Sequence, residues 1–105
     1  MKIRLEPNKT TLRLSKIEFS ELLKCRFLSD SYELPGNQAI DIYLKLEETD
    51  NFIYENNSFR ISLPNRLIDD YKPCKNGLTF YFQVDNKKKI QVLFEVDIKK
   101  KPINK

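Results

Sequence analysis

The sequence predicts an α+β, mainly β fold in which two internally duplicated hairpin–helix–hairpin units form one small β-barrel with two short helices. Three observations predict this. Apolar and polar residues alternate along most of the chain, two short stretches have helical spacing instead, and the element order of residues 2–46 recurs in residues 51–98. A chain of 105 residues can build one core without disulfides or metals. We therefore expect a single domain over residues 1–98 and a basic flexible tail over residues 99–105.

The first unit opens with a hairpin and a helix. Residues 2–6 and 11–14 alternate apolar with polar side chains on either side of a turn at residues 7–8. Ser15 and Glu18 then fit a capping box, in which each residue satisfies a free backbone amide of the other. The helix packs on the sheet through apolar residues at helical spacing. These residues are Phe19, Leu22, Leu23 and Phe27.

A second hairpin completes the first unit. The segment Pro35-Gly36-Asn37 is typical of a turn. The residues that follow, 40–47, alternate apolar with polar side chains and predict the clearest strand of this half. A polar connection at residues 47–51 then leads into the second unit.

The second unit starts with the same order of elements. Residues 52–54 and 59–63 predict a hairpin around a turn at residues 56–57. Pro64 suits the first turn of a helix, where its missing N–H does no harm, and Pro73 ends that helix. The apolar side of the helix consists of Leu67, Ile68 and Tyr71.

Two further strands end the second unit. Residues 78–84 are rich in Phe and Tyr, and residues 90–98 alternate apolar with polar side chains. A turn at Asp85-Asn86 joins them, so the second unit also closes with a hairpin.

Matching residues support a duplication. Two matches lie 49 residues apart and one lies 47 residues apart: Glu6-x-Asn8 with Glu55-x-Asn57, Cys25 with Cys74, and Leu12-Arg13-Leu14-Ser15 with Phe59-Arg60-Ile61-Ser62. A unit of about 50 residues is too small to bury its own sheet, whereas two copies can complete each other's core. The alternative is that any two hairpin–helix–hairpin segments look alike at this level.

The residue types present exclude much catalytic chemistry. The chain has no His, which removes imidazole acid–base catalysis, His-activated nucleophiles and imidazole metal ligands. It also has no Gly-rich phosphate loop and no metal-ligand spacing. We therefore expect a protein that is not an enzyme, with no cofactor, no metal and no small-molecule substrate.

The cysteine count and the hydropathy pattern favour a cytoplasmic protein. Two cysteines do not make a secreted disulfide framework, and we expect two buried or half-buried thiols, with a single bridge between Cys25 and Cys74 as the alternative. No apolar stretch is long enough to span a membrane, and charges interrupt the first residues as they would not in a signal peptide. We expect no membrane partner.

Charge is distributed unevenly along the chain. The formal net charge of +4 combines +4 in residues 1–27 (seven basic, three acidic), −5 in residues 28–86 (five basic, ten acidic) and +5 in residues 87–105 (seven basic, two acidic). Two basic segments that flank an acidic middle can fold into one basic face. The lysine runs at residues 87–89 and 99–101 can add attraction to phosphates, or serve to prevent aggregation.

Several of these motifs resemble a known family. The string Asn56-Asn57-Ser58-Phe59-Arg60-Ile61-Ser62-Leu63-Pro64-Asn65-Arg66-Leu67-Ile68 resembles the AbrB/MazE/SpoVT swapped-hairpin pattern. The first half resembles the same unit through Asn8, residues 12–15 and Leu22-Leu23, so the resemblance covers about residues 2–98. The opening of the chain also resembles a small bacterial domain-of-unknown-function family.

The AbrB-like resemblance implies both a fold and a function. It implies a swapped-hairpin β-barrel made within one chain. Members of the family are often DNA-binding regulators or antitoxins that use basic residues of the first hairpin. The residues of this chain that the resemblance assigns to nucleic-acid binding are Lys2, Arg4 and Arg13 in the first half, with Arg60 and Arg66 in the second.

We therefore interpret the chain as a small non-enzymatic binding protein. The first hypothesis is a transcriptional regulator or antitoxin-like protein that binds duplex DNA through these arginines and Lys2. The alternative is a protein–protein interaction module, an inhibitor or adaptor, that acts through a strand edge or the acidic middle. Outward arginines also serve solubility alone. Tyr43 and Tyr81 fall on the polar phase of their strands. They can be stacking platforms or interface anchors, and the alternative is that they pack under a helix or loop.

Overall fold

The computed structural model describes residues 1–74 and 76–98. The predicted basic tail, residues 99–105, lies outside the described residues. Ten elements follow one another along the chain. In the first half these are β1 (Lys2–Glu6), β2 (Lys9–Leu14), α1 (Lys16–Cys25), β3 (Phe27–Leu34) and β4 (Gln38–Glu47). In the second half they are β5 (Asn51–Glu55), β6 (Ser58–Pro64), α2 (Asn65–Asp69), β7 (Leu78–Gln83) and β8 (Lys89–Val96).

The strands form two four-stranded sheets, each built from one hairpin of each half. The first sheet has the order β1-β2-β8-β7 and the second has the order β3-β4-β6-β5. Each hairpin is antiparallel, and the two central strands of each sheet, β2 with β8 and β4 with β6, run parallel. The expected mainly β architecture with two short helices is therefore confirmed.

The expected closed barrel is not formed by the described strands, which make two open sheets. Side chains rather than backbone ladders bridge the seams between the sheets. At one seam the Tyr32 hydroxyl on β3 accepts a hydrogen bond from the Ile3 N–H on β1, at 3.2 Å. At the other seam the rings of Phe52 on β5 and Phe82 on β7 meet edge to face, with centroids 5.8 Å apart. Alternation predicts strands and their faces, but it does not predict whether edge strands pair.

The strand registers relate the halves by an offset that differs from the 47 residues of the sequence match. Both first hairpins turn through two residues, with Glu6 opposite Lys9 and Glu55 opposite Ser58, which is a shift of 49. In the second hairpins Leu28 lies opposite Leu44 and Leu78 lies opposite Phe94, which is a shift of 50.

The arginines of the two first hairpins therefore do not occupy corresponding positions. By the register, Arg13 corresponds to Ser62 and Arg60 corresponds to Thr11. The match of Leu12–Ser15 with Phe59–Ser62 is wrong by two residues. Because side chains alternate with a period of two, such a slip keeps every apolar residue on the core face and leaves no sign in the sequence pattern.

Helix α1 begins as predicted and ends earlier than predicted. Ser15 is the N-cap, and both hydrogen bonds of the capping box with Glu18 form. The helix ends at Cys25, because Arg26 adopts a left-handed conformation (φ 63°) and its N–H bonds to the carbonyl of Leu22. Phe27 consequently starts β3 instead of extending the apolar face of the helix.

Helix α2 is shorter than predicted. Pro64 is its N-cap rather than a residue of its first turn, and the helix ends at Asp69. Tyr71 lies beyond the helix but still packs on the core, where its ring meets those of Phe19 and Phe94 at 6.0 and 5.9 Å between centroids. Tyr71 therefore belongs to the core through these ring contacts and not as part of the apolar face of a helix.

One core joins both sheets and both helices. Its fully buried side chains come from the inner faces of β2, β4, β6 and β8 and from the two helices. They include Leu12, Leu14, Leu22, Ile42, Leu44, Ile61, Leu63, Ile68, Val92 and Phe94. Because the inner faces share this core, the outer faces of the two sheets point in opposite directions.

Candidate nucleic-acid interface

The outer face of the first sheet collects basic residues from both ends of the chain. Cross-strand partners lie on the same face of a sheet, so the register identifies the outward residues. The charged ones are Lys2, Arg4 and Glu6 on β1, Lys9 and Arg13 on β2, and Lys89 and Glu95 on β8. Among the described residues this surface, hereafter the basic face, has five cations against two carboxylates.

Three of the predicted binding residues lie together on the basic face. Lys2 and Arg13 are direct cross-strand partners, and Arg4 lies two residues from Lys2 on the same side of β1. All three side chains are exposed. The parallel pairing of β2 with β8 brings Lys89 onto the same sheet as Lys9, so the basic N-terminal segment meets the described lysines at the start of β8.

Glu6 on the basic face and Asp97, just beyond β8, form exposed ion pairs with two of these cations. Arg4 Nε lies 3.9 Å from Glu6 Oε1, and an Arg13 guanidinium nitrogen lies 3.5 Å from Asp97 Oδ1. Exposed pairs of this kind contribute little free energy, about 0–1 kcal/mol. Both arginines can therefore exchange these partners for a stronger anion such as a phosphate.

One end of the basic face carries further lysines. The N–H of Gln91 donates to the Asn8 carbonyl at 3.1 Å, which ties the β1–β2 turn to the beginning of β8. Lys87 and Lys88 directly precede β8 and are exposed. The sequence contains this lysine run but gives no reason to place it near Lys9, because that placement depends on the pairing of β2 with β8.

The other two predicted residues lie elsewhere. Arg60 is on the outer face of the second sheet, in register with Tyr43 on β4 and Ile53 on β5. Arg66 is in α2 and lines a surface cleft with Glu48 and Thr49. The structure therefore does not bring these two arginines onto the same face as Lys2, Arg4 and Arg13.

The outer face of the second sheet has a different character. Phe27 and Tyr43 stack there with ring centroids 6.1 Å apart and an interplanar angle of 22°. The guanidinium carbon of Arg60 lies 5.8 Å from the centre of the Tyr43 ring. A cavity of about 410 Å³ lies over these residues and also touches Ile53. We call this surface the aromatic face.

The two predicted tyrosines lie on opposite outer faces. Tyr81 belongs to the basic face, where 62% of its surface is exposed, and Tyr43 is half-buried in the aromatic face. The interpretation of Tyr81 as a residue packed under a helix or loop is therefore wrong.

Titratable groups with shifted pKa values meet at the seam beside β1. The Met1 ammonium donates to Glu18 and to Asp30, the latter at 3.1 Å. Burial acts to lower the ammonium pKa, but its hydrogen bonds with the two carboxylates outweigh burial and raise it. Burial acts to raise the pKa of both carboxyls, and the ammonium together with the Ser15 and Ser31 N–H groups holds each below its usual value.

The described residues offer no assembled metal centre. Within them, no three Cys, Asp or Glu side chains lie close enough to hold a metal ion. Cys25 and Cys74 are free thiols and exposed, so the expectation of buried or half-buried thiols is wrong. Cys74 Sγ donates to the Asn76 carbonyl at 3.0 Å.

None of the helices in residues 1–74 and 76–98 has the length and hydropathy needed to cross a membrane.

A family model described as a family of unknown function, DUF7009, matches residues 1–100. No curated protein and no solved structure matches the chain significantly. The match agrees with the expected resemblance to a domain-of-unknown-function family, while the resemblance to the AbrB-like pattern stays a prediction.

Proposed function

We propose that this chain, which belongs to the family of unknown function DUF7009, is a non-enzymatic protein that binds duplex DNA through the basic face. One observation carries the proposal. The described outer face of the first sheet has five cations and two carboxylates, whereas that of the second sheet has two cations and four carboxylates. Only the first surface has the charge that a polyanion requires.

The hairpin β1–β2 has a shape suited to duplex DNA. One of its strands is paired with β8 and the other borders the seam with β3, so the accessible part of this ribbon is its outer face, where Lys2, Arg4, Glu6 and Arg13 are exposed. A two-stranded β-ribbon fits the major groove, where an arginine can bond to guanine O6 and N7 together. Arg4 and Arg13 project from the outer side of this ribbon as candidates for base contacts. Lys2 and Lys9 flank them as candidates for phosphate contacts.

We also propose that the chain consists of two fused units of the swapped-hairpin type. The interleaving of hairpins supports this, because exchanging each element for its counterpart in the other half converts the strand order of one sheet into that of the other. Buried positions correspond as well. Leu14 and Leu63 are fully buried 49 residues apart, and Leu44 and Phe94 are fully buried 50 residues apart.

The two units differ in their outer residues, which limits the mode of DNA binding. The positions on β5 and β6 that correspond to Lys2, Arg4 and Arg13 hold Asn51, Ile53 and Ser62. The second sheet therefore has no counterpart of the basic face. We expect one molecule to contact one DNA site without internal two-fold symmetry, unlike a symmetric dimer on a palindrome.

The test compares DNA affinity between charge variants of the two faces. Fluorescence anisotropy with mixed genomic duplexes at low salt gives the dissociation constant. The variant Arg4→Gln/Arg13→Gln removes two cations of the basic face, and we expect at least a tenfold loss of affinity, since a direct charged hydrogen bond contributes about 1.5–3 kcal/mol. Arg60→Gln on the opposite face is the matched control and should leave the affinity unchanged.

Two results would contradict the proposal. If the unmodified protein does not bind the duplexes at low salt, the basic face has no DNA-binding function. If Arg60→Gln weakens binding as much as the double variant does, the site lies elsewhere. The alternative, a protein-interaction module, predicts no DNA binding and one stoichiometric protein partner.

A further inference from the structure

We propose that the aromatic face is a separate binding site for a small ligand that combines a planar aromatic ring with one anionic group. A mononucleotide and an aromatic carboxylate both have this chemistry. The site lies on the side of the molecule opposite the basic face and does not depend on the proposed DNA binding. The ligand would be bound without being chemically changed.

The apolar half of the site is a ring platform. Phe27 at the beginning of β3 and Tyr43 on β4 are nearly parallel, and 43% of the surface of Phe27 is exposed. Ile53 on β5 borders the same cavity and is 40% exposed. Large apolar side chains grouped in one concavity have an energetic reason to be covered, and a ligand ring can meet the exposed edges of a stacked pair edge to face.

The polar half of the site is centred on Arg60. Among the described residues, no carboxylate lies within ion-pair distance of the Arg60 guanidinium. The neighbouring cation Lys45 is instead paired with Glu47 at 3.3 Å, and Glu47 also accepts a hydrogen bond from the Ser62 hydroxyl at 2.7 Å. Arg60 is therefore the cation of this face that an incoming anion can bind without displacing a carboxylate of the described residues.

Asn51 adds neutral hydrogen-bonding capacity beside Arg60. Its side-chain oxygen accepts the N–H of Phe52 at 2.9 Å, so the orientation of the amide is fixed. The amide NH₂ group is left to donate, and Asn51 lines the cavity. A carboxylate or phosphate bound to Arg60 can accept a second hydrogen bond from this NH₂ group.

The charges around the cavity favour a small anion over a polymer. Asp41 and Glu55 lie in the adjacent cross-strand row, through Ser58, and Glu47 lies beyond Lys45 at the other end. These carboxylates repel any extended polyanion that leaves the cavity along the strands. The volume of about 410 Å³ is within the range of sites for small organic ligands, about 300–1,000 Å³.

The fold does not require this combination of side chains. At the corresponding positions of the first sheet, Tyr43 is replaced by Leu93, Arg60 by Thr11 and Ile53 by Arg4. The same backbone arrangement is therefore built without a ring platform or an unpaired arginine. Among the described residues, the aromatic face is therefore a feature of the second sheet alone, and the shared backbone arrangement does not impose its side chains.

The experiment is a titration followed by NMR shifts of backbone amides in β4 and β6. Two matched pairs of probes measure what the anionic group contributes to affinity while the ring stays the same: salicylate with salicylamide, and AMP with adenosine. Cyclohexanecarboxylate provides the charge without a planar ring. The variants are Arg60→Gln and Tyr43→Leu, and Tyr81→Leu on the opposite face is the control, with circular dichroism to verify folding.

We expect at least one charged ring probe to bind about tenfold more tightly than its neutral partner and than cyclohexanecarboxylate, with shifts confined to the aromatic face. Arg60→Gln should abolish the difference within each pair, Tyr43→Leu should weaken binding of every ring, and Tyr81→Leu should change neither. Preference for AMP identifies a nucleotide site, and preference for salicylate identifies an aromatic carboxylate site. Absence of binding by both charged rings, or binding that Arg60→Gln leaves unchanged, overturns the proposal.

Discussion

Individual residues determine where elements begin and turn in this fold. Ser15 starts α1 through a capping box, and Arg26 ends it in a left-handed conformation. Asn56 and Asn57 take positive φ values of 51° and 59° in the β5–β6 turn, as a two-residue turn of the hairpin type requires. The capping box and the Asn-Asn pair have sequence signatures, and both were predictable. The left-handed Arg26 has none, since that conformation favours glycine or asparagine.

The first residue-scale prediction concerns Ser15. Its hydroxyl accepts the Glu18 N–H at 3.1 Å, so Ser15→Ala leaves this donor without its partner. We expect a loss of about 1 kcal/mol in the free energy of unfolding, measured by urea denaturation. Ser20→Ala, on an exposed position inside α1, is the control and should be neutral or slightly stabilising. Equal effects of the two variants would contradict the capping role.

The second residue-scale prediction concerns Asn57. A β-branched side chain is strained at its φ of 59°, so Asn57→Val should destabilise the protein by about 1–2 kcal/mol in the same assay, whereas Asn57→Gly should be tolerated. Asn8 occupies the corresponding turn position of the first hairpin without a positive φ. Asn8→Val should therefore cost less than Asn57→Val, and the reverse order would refute this account of the turn.

At the scale of elements, alternation and capping predicted the strands and the start of α1 but not every boundary. Phe27 continues the helical spacing of Phe19 and Leu23, and the change from helix to strand occurs one residue before it. The two-residue error in matching Arg13 with Arg60 has a similar origin, because a period of two cannot distinguish offsets of 47 and 49. The pairing of strands determines both the start of β3 and the offset between the hairpins, and the sequence pattern contains no information on that pairing.

An element-scale prediction concerns the contact of Met1 with α1 and β3. The lowered pKa values of Glu18 and Asp30 contribute stability that is present above their ordinary values, 4.5 and 3.8, and is lost as the pH falls through the lower values of the folded state. The raised ammonium pKa contributes stability that is present below its ordinary value of 8.0 and is lost as the pH rises through the folded value. Urea denaturation across the pH range should therefore show declines at both ends.

Asp30→Asn tests this prediction with little change of shape. The variant removes one carboxylate partner of the ammonium, so its unfolding free energy should decline less on acidification than that of the unmodified protein. Glu21→Gln, an exposed carboxylate on α1, is the control and should leave the acid limb unchanged. An acid limb that is identical in Asp30→Asn and in the unmodified protein would exclude this ion pair as its cause.

At the scale of the whole molecule, the exchange of hairpins between halves creates two unlike outer faces. The pairing of β2 with β8 places Lys2, Arg4, Lys9 and Arg13 on the same sheet as Lys89, and the pairing of β4 with β6 places Tyr43 beside Arg60. The segmental charges predicted that the two basic ends can meet. They did not predict that Arg60 would face the opposite way, since local patterns contain no information about which hairpins share a sheet.

The salt dependence of DNA affinity tests the central claim, that the basic face binds duplex DNA, most directly. Each phosphate neutralised contributes about 0.9 to the slope of log affinity against log salt concentration, so five cations predict a negative slope of up to about 4.5. Arg4→Gln/Arg13→Gln should reduce this slope by roughly 2, and Arg60→Gln should leave it unchanged. A slope near zero, or one that the double variant does not alter, would contradict the account.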